Sequence, residues 1–188
     1  IYVDFKSPAS YLCLQPTLDV LKRHGVTAVW RPFQAIEREV PKLKSHEELG
    51  ETHRRVRAEA QRQTHERYAA LQGSALNFPR QPARTDLALG ALGVLRDQPF
   101  PFIQDAFEAY WSRGDDLDDL ETIKAMLENV GVEASDLSEH MLRNALQISQ
   151  LEAEAHCVVD APAYLIDDQI FIGRQHLPWI EELILQRK

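Results

Sequence analysis

No Cys-x-x-Cys pair occurs in this chain. Its two cysteines, Cys13 and Cys157, stand far apart in 188 residues, whereas dithiol–disulfide exchange needs an attacking and a resolving sulfur side by side. Paired-cysteine redox chemistry is therefore excluded. The sequence leaves a long-range bridge between the two open, but so few cysteines lead to an expectation of free thiols in a reducing cytoplasm. Long apolar runs are also missing: none approaches the ~20 residues that span a bilayer, and no basic, apolar leader shows at the start. No membrane partner is expected. Positive charge is in deficit, 21 Lys and Arg against 29 Asp and Glu for a formal charge of −8. Nucleic acid is thereby excluded as the main partner, because phosphate contacts require a basic face. The basic segment His53-Arg54-Arg55-Val56-Arg57 is interleaved with glutamates and reads as a solvated helix face. Neither metal-ligand spacing of histidines nor a Gly-x-Ser-x-Gly elbow is found, so no metal and no hydrolase nucleophile are expected.

What is present begins at the start of the chain. Ile1 to Phe5 suits a strand, Pro8 biases Ser7 away from helical geometry, and Ser10 to His24 carries helical spacing. A serine is thus delivered to a helix N-terminus, where the first N–H groups lack internal acceptors and carry about half a positive charge. Either Ser7 or Ser10 can serve simply as a cap. Gly25 is a stop signal, and Val26 to Arg31 reads as a second strand ending at Pro32, completing a right-handed βαβ unit with parallel strands.

From Ile36 to Leu146 the pattern is almost wholly helical. A long polar helix is expected over Lys44 to Leu71, a loop over Asn77 to Pro82, and a small-residue apolar helix from Thr85 to Leu95. The spacing of Phe102, Ala106, Phe107, Tyr110 and Trp111 predicts a buried aromatic stripe. Helices are further expected around Leu120 to Val130, over Ser135 to Asn144, and over Ser149 to His156. The chain ends with two short β runs around Asp167-Asp168-Gln169, entered through Pro162, and a helix from His176 to Gln186.

Strand, Ser-Pro-x-Ser and helix at one end, with x-Pro, hairpin, Gly and helix at the other, resembles a thioredoxin-like α/β fold. More closely, Asp4 to Leu12, Trp30-Arg31-Pro32-Phe33, and Ala161-Pro162-Ala163-Tyr164-Leu165 with Gly173 and Leu177 resemble the 2-hydroxychromene-2-carboxylate isomerases and kappa-class glutathione transferases, relatives of DsbA. The resemblance implies a thioredoxin-like domain of residues 1–35 and 147–188, interrupted by an all-helical insertion over 36–146, in the order βαβ–helices–αββα. Pro162 would be a cis proline facing the helix that starts at Ser7. Phe78 to Pro82 and the pair Tyr110-Trp111 become candidates to line a pocket under the insertion.

The resemblance further implies glutathione as cofactor, with its sulfur at the Ser7 hydroxyl. A cysteine-type thiol ionises near pH 8.5, and lowering that by about two units takes roughly 2.7 kcal/mol. A helix terminus supplies about 0.3–1 kcal/mol and a hydrogen bond to the charged sulfur about 1.5–3. Ser7 would then stabilise a thiolate rather than attack. Ala161, held by Pro162, would pair with the peptide like an added strand, and Arg174 and Gln175 would meet its γ-glutamyl end. Two departures from the family pattern stand out: Gln175 replaces a usual Asp, and Thr64 aligns where another Asp is usual, with no Asn between Pro79 and Thr85. The implied activity is glutathione-dependent cis–trans isomerisation of a small aromatic-catabolite type molecule. A kappa-like transferase or peroxidase and a non-catalytic thioredoxin-fold binding protein are the alternatives. Relatives of this kind usually dimerise, so a homodimer is implied by the resemblance alone.

Overall fold

The computed structural model describes residues 1–187 except 37, 38, 47, 80–83 and 96–98. Residues Ile1–Ala35 and Asn77–Lys188 form one compact unit and Ile36–Leu76 a second.

In the first unit, β1 (Tyr2–Val3), β2 (Arg31–Pro32), β3 (Ala163–Ile166) and β4 (Gln169–Ile172) make a mixed sheet of order β2-β1-β3-β4. β1 pairs parallel with β2 and antiparallel with β3, and β3–β4 is an antiparallel hairpin. Asp167 and Asp168 form its two-residue turn with φ of 44° and 61°. Positive φ at both central residues matches the twist of the flanking strands, and Asp tolerates it better than most side chains.

The strand expected over Val26 to Arg31 is confined to Arg31–Pro32. β1 itself is short because the chain turns at once, Ser7 N donating to Asp4 O at 3.0 Å. It therefore offers acceptors only at its two ends: Arg31 N donates to Ile1 O at 2.8 Å and Phe33 N to Val3 O at 2.9 Å. Pro32, which lacks an N–H, lies between these donors on an edge strand and disrupts neither.

Helix α1 (Pro8–His24) lies against α7 (Leu177–Leu185), with Val20, Tyr164, Phe171, Leu177, Ile180 and Ile184 buried between helices and sheet. Tyr2, Phe33, Ala153, Val158, Ala161 and Ala163 make a second cluster. Next come α3 (Asp86–Val94), α4 (Phe100–Glu108) running into a π-helical turn (Ala109–Arg113), α5 (Leu120–Asn129) and α6 (Glu139–Ala155). As the spacing predicts, Phe102, Ala106, Phe107, Tyr110 and Trp111 are buried.

α6 replaces the two helices expected over 135–144 and 149–156. Ser138 caps it, accepting from Met141 N at 3.3 Å, and Ser149 is a buried mid-helix residue facing Gly93 rather than a second cap. The bridging residues Ala145 to Ile148 carry no breaker, so one helix continues through both expected segments. α3 crosses α6 at Gly90 and Gly93, and Arg143 of α6 bridges Asp86 and Asp118 at 3.2–3.3 Å.

The second unit contains α2 (Leu49–Gln72), opened by a reciprocal Glu48–Glu51 capping box and closed at Gly73 with φ 64°. Its start lies five residues after the expected Lys44, because the capping box defines the first turn. Among the described residues, no helix is long and apolar enough to cross a membrane.

Candidate functional site

Ser7 is the N-cap of α1, extended at φ −82° and ψ 114°. Pro8 follows in the first turn, where its missing N–H costs nothing and its fixed φ suits a helix. Ser7 Oγ accepts from Ser10 N at 3.2 Å and donates to Ala161 O at 3.0 Å. Ala161-Pro162 is a cis peptide. The two sequence-distant stretches thus meet through one hydroxyl, 154 residues apart in the chain. Ser10, fully buried, has the other role: its Oγ accepts from Asp4 N at 3.3 Å.

Asp4 is buried too, and both of its oxygens are used by main chain. Oδ1 accepts from Lys6 N at 3.0 Å and Oδ2 from Ala35 N at 2.9 Å. The carboxylate therefore braces the turn that presents Ser7 and ties it to the strand end after β2. No acidic residue stands in the first turn of α1, so the partial positive charge of the helix end is not neutralised from within that turn.

An aromatic wall stands beside this turn. Tyr11 stacks on Phe107 and on Trp111, with ring centroids at 5.6 and 6.3 Å, and Phe78 meets Trp111 edge-on at 5.6 Å. Trp111 Nε1 donates to Phe5 O at 3.0 Å, which locks the indole to the Ser7 turn. Of the expected pocket-lining residues, Phe78, Tyr110 and Trp111 are brought together here; residues 80–82 of the same expected loop lie outside the described residues. Sequence reasoning missed Tyr11, although its position four residues after Ser7 puts it one helical turn further along the same face.

At the far side, Gly173 N donates to Pro162 O at 2.8 Å, so the turn before α7 is continuous with the cis-proline strand. Arg174 and Gln175 both bond to main-chain carbonyls of their own protein. Gln175 Nε2 donates to Ile172 O at 3.1 Å and Arg174 Nη1 to Leu12 O at 3.0 Å. The second bond has a local cause: Pro16 lies inside α1 and has no N–H for the carbonyl of residue 12, four positions earlier. Arg174 supplies the missing donor from another element. Pro16→Ala restores the main-chain N–H, so Arg174→Ala is expected to destabilise that variant about 1 kcal/mol less than it destabilises the parent. Urea denaturation of the four proteins measures this coupling; equal costs in both backgrounds would refute the substitution of one donor by the other.

Both cysteines are free thiols. Cys13 is fully buried, its Sγ donating to Ser10 O at 3.0 Å, and burial pushes its thiol up to about 11. Burial likewise pushes the Tyr164 phenol up, while its hydroxyl lies 2.9 Å from Thr17 Oγ1. Cys157 is exposed. Only one thiol, Cys157, is therefore expected to react with Ellman's reagent at neutral pH in the native protein, and two after unfolding. A neutral thiol whose folded pKa is raised stabilises the fold fully below its unfolded value near 8.5 and loses that contribution as pH rises toward about 11. Denaturation midpoints should thus fall across this alkaline window, and less so in Cys13→Ala.

Two cavities of about 630 and 800 Å³ flank the segment from Val26 to Arg31, along the later turns of α1. Neither is lined by Ser7, Ala161 or Pro162, so the chemistry of the Ser7 turn, rather than cavity size, locates the candidate site. Among the described residues no cluster of His, Cys, Asp and Glu suits a metal ion.

A serine-capped helix facing a cis proline across a four-stranded mixed sheet, with helices inserted between the two halves, is the geometry by which relatives can be compared. The sequence profile of the DSBA-like thioredoxin domain matches residues 1–185. The chain belongs to the DsbA-like thioredoxin family. Within that family's reach, it is 30% identical over 191 residues to a 2-hydroxychromene-2-carboxylate isomerase of Sphingobium xenophagum, covering 98% of this chain and 96% of that one. A solved structure of 2-hydroxychromene-2-carboxylate isomerase, as its selenomethionine form, superposes with a TM-score of 0.72 at 22% identity, covering 99% of this chain and 93% of that one. The latter likeness speaks for the fold.

Proposed function

We propose that this DsbA-like protein is a glutathione-dependent cis–trans isomerase of the 2-hydroxychromene-2-carboxylate isomerase type, acting in the reducing cytoplasm on a small planar molecule. The observation that carries the reading is the Ser7 hydroxyl, placed at the end of α1 and 3.0 Å from the carbonyl before cis Pro162. The isomerase name of the relative at 30% identity supports it.

The residues present fit the sulfur and the central peptide of glutathione. Ser7 has a rotatable hydroxyl proton, the α1 terminus has no acid in its first turn, and the Ala161 main chain beside Pro162 would pair with the peptide on exchanging its present partners, Ser7 Oγ and Asp160 Oδ1. Bound glutathione would supply a thiol that, ionised, adds reversibly to a conjugated double bond and lets it rotate while single. Ser7 donates to the sulfur and so favours its ionised form; α1 adds the field of its terminus. Ala161 aligns the peptide as an added strand. Tyr11 and Phe78, half-buried and backed by the buried Trp111, offer flat apolar faces that orient a planar substrate and exclude water.

Calorimetric titration with glutathione, followed by an assay of 2-hydroxychromene-2-carboxylate isomerisation with and without it, tests the proposal. Saturable binding and glutathione-dependent turnover are expected; no binding at millimolar glutathione would sink it. Formation of a conjugate or of oxidised glutathione instead of an isomer would identify the kappa-like transferase or peroxidase. One observation favours a second reading, a non-catalytic thioredoxin-fold binding protein: Arg174 and Gln175, assigned by resemblance to the γ-glutamyl end, both donate to main-chain carbonyls of their own protein. Sedimentation of the same samples tests the accompanying expectation of a homodimer.

A further inference from the structure

Both main-chain groups of Ala161 that an added peptide strand would use are already engaged. Its carbonyl accepts from Ser7 Oγ at 3.0 Å, and its N–H donates to Oδ1 of Asp160 at 2.8 Å. The two bonds differ in how they respond to a ligand. A sulfur beside Ser7 draws the hydroxyl proton away and frees the carbonyl. Nothing in that event frees the N–H, because its acceptor is a carboxylate on the adjacent residue, held in place by the same backbone. An incoming peptide carbonyl must replace a charged acceptor with a neutral one, and bonds to ionised acceptors are the stronger kind. Ala161 is buried whereas Asp160 is exposed, so the carboxylate can swing out to water once displaced.

We infer that Asp160 is an internal competitor for the peptide-binding edge: its carboxylate occupies the Ala161 N–H and sets the affinity of the site for short thiol peptides of the glutathione kind. The inference rests on the glutathione reading above. It makes Asp160 an affinity-setting residue that acts through Ala161, and it distinguishes removal of the competing acceptor from removal of a negative charge near an anionic peptide. Asp160→Asn keeps a side-chain acceptor at the same place without the charge; Asp160→Ala keeps neither.

The test combines amide hydrogen exchange of the ligand-free proteins with calorimetric titration by glutathione and by S-methylglutathione, which retains the peptide but not the thiol. In the ligand-free state the Ala161 amide should be protected in the parent and in Asp160→Asn, and should exchange about tenfold faster in Asp160→Ala. Both peptides should bind Asp160→Ala about three- to tenfold more tightly than the parent, with Asp160→Asn between the two, since its neutral oxygen competes less strongly than the carboxylate. An unprotected Ala161 amide in the parent would overturn the inference, as would equal affinities of parent and Asp160→Ala. A gain in Asp160→Asn equal to that in Asp160→Ala would also overturn it, assigning the effect to charge. Binding by the Ala variant alone supports it in its strongest form; no binding by any of the three proteins removes the glutathione reading and this inference together.

Discussion

Gly90→Ala is expected to destabilise the protein by about 3 kcal/mol or more. A Cβ at Gly90 would lie 2.2 Å from Leu142 O, 2.6 Å from Leu142 C and 2.9 Å from Leu142 Cα. These are main-chain atoms in the first turn of α6, so no rotamer change relieves the overlap and the helices must move apart. The helix propensity of Ala over Gly returns at most about 1 kcal/mol. Separation of α3 from α6 would also pull Arg143 away from Asp86 and Asp118, now 3.2–3.3 Å apart. For a chain of this size the loss corresponds to a fall in melting temperature of roughly 6–12 °C. Gly93→Ala is the internal comparison. Its Cβ would meet Ser149 Oγ at 3.2 Å, a side-chain atom that can rotate, so its stability should stay within about 1 kcal/mol of the parent. Thermal and urea unfolding of both variants measure the contrast, and similar stabilities would show that α3 and α6 do not approach as closely as the fold has them.

Ser7→Ala is expected to raise the pH at which bound glutathione ionises by about one unit and to slow glutathione-dependent turnover about tenfold. The size follows from what the hydroxyl gives up. In the ligand-free protein Ser7 Oγ donates to Ala161 O, a neutral bond of about 0.5–1.5 kcal/mol, and under the proposed function it would exchange this for a bond to a charged partner of about 1.5–3. Only the difference, roughly 1–1.5 kcal/mol, appears in the ionisation. The contribution of the α1 terminus persists in the variant. A donor to the thiolate lowers the thiol pKa, so its removal should shift the ultraviolet thiolate signal to higher pH, never lower. Losing the cap and the Ala161 bond also costs about 1–2.5 kcal/mol of stability, which denaturation measures separately. Ser10→Ala separates the two effects, since its buried hydroxyl accepts from Asp4 N and caps nothing in the cleft. That variant should lose stability and keep the thiolate signal. An unchanged ionisation in Ser7→Ala would remove the serine from the proposed mechanism.

The legible parts of the site were those written locally. Ser7, Pro8 and the periodicity up to His24 specify a capped helix start within a few residues, and Asp167-Asp168 specify a tight turn by their tolerance of positive φ. The partners of these elements were legible only through resemblance, because nothing local to Ser7 names a carbonyl 154 residues away. Strand 2 shows the limit of pattern: Val26 to Arg31 has the composition of a strand, yet pairing length depends on how many residues β1 can offer, and β1 turns away after Val3. Ser149 likewise stood at the start of an expected helix, but packing beside Gly93 across the helix interface gave it a buried place in the middle of α6.

By itself, then, the sequence determined the absence of a redox cysteine pair, the order of strands and helices, the serine at a helix terminus and the proline entering the hairpin. These are properties of neighbouring residues, set by backbone sterics, capping and hydrophobic period. Tertiary structure alone decided that Arg174 supplies the donor Pro16 lacks within α1, that Asp4 braces the Ser7 turn against Ala35, that Tyr11 joins the Trp111 wall, and that the main chain of Ala161 is shared between Ser7 and Asp160. Each of these is a donor finding an acceptor, or a ring finding a ring, and such pairings are settled by which surfaces the packed elements bring within a few ångströms.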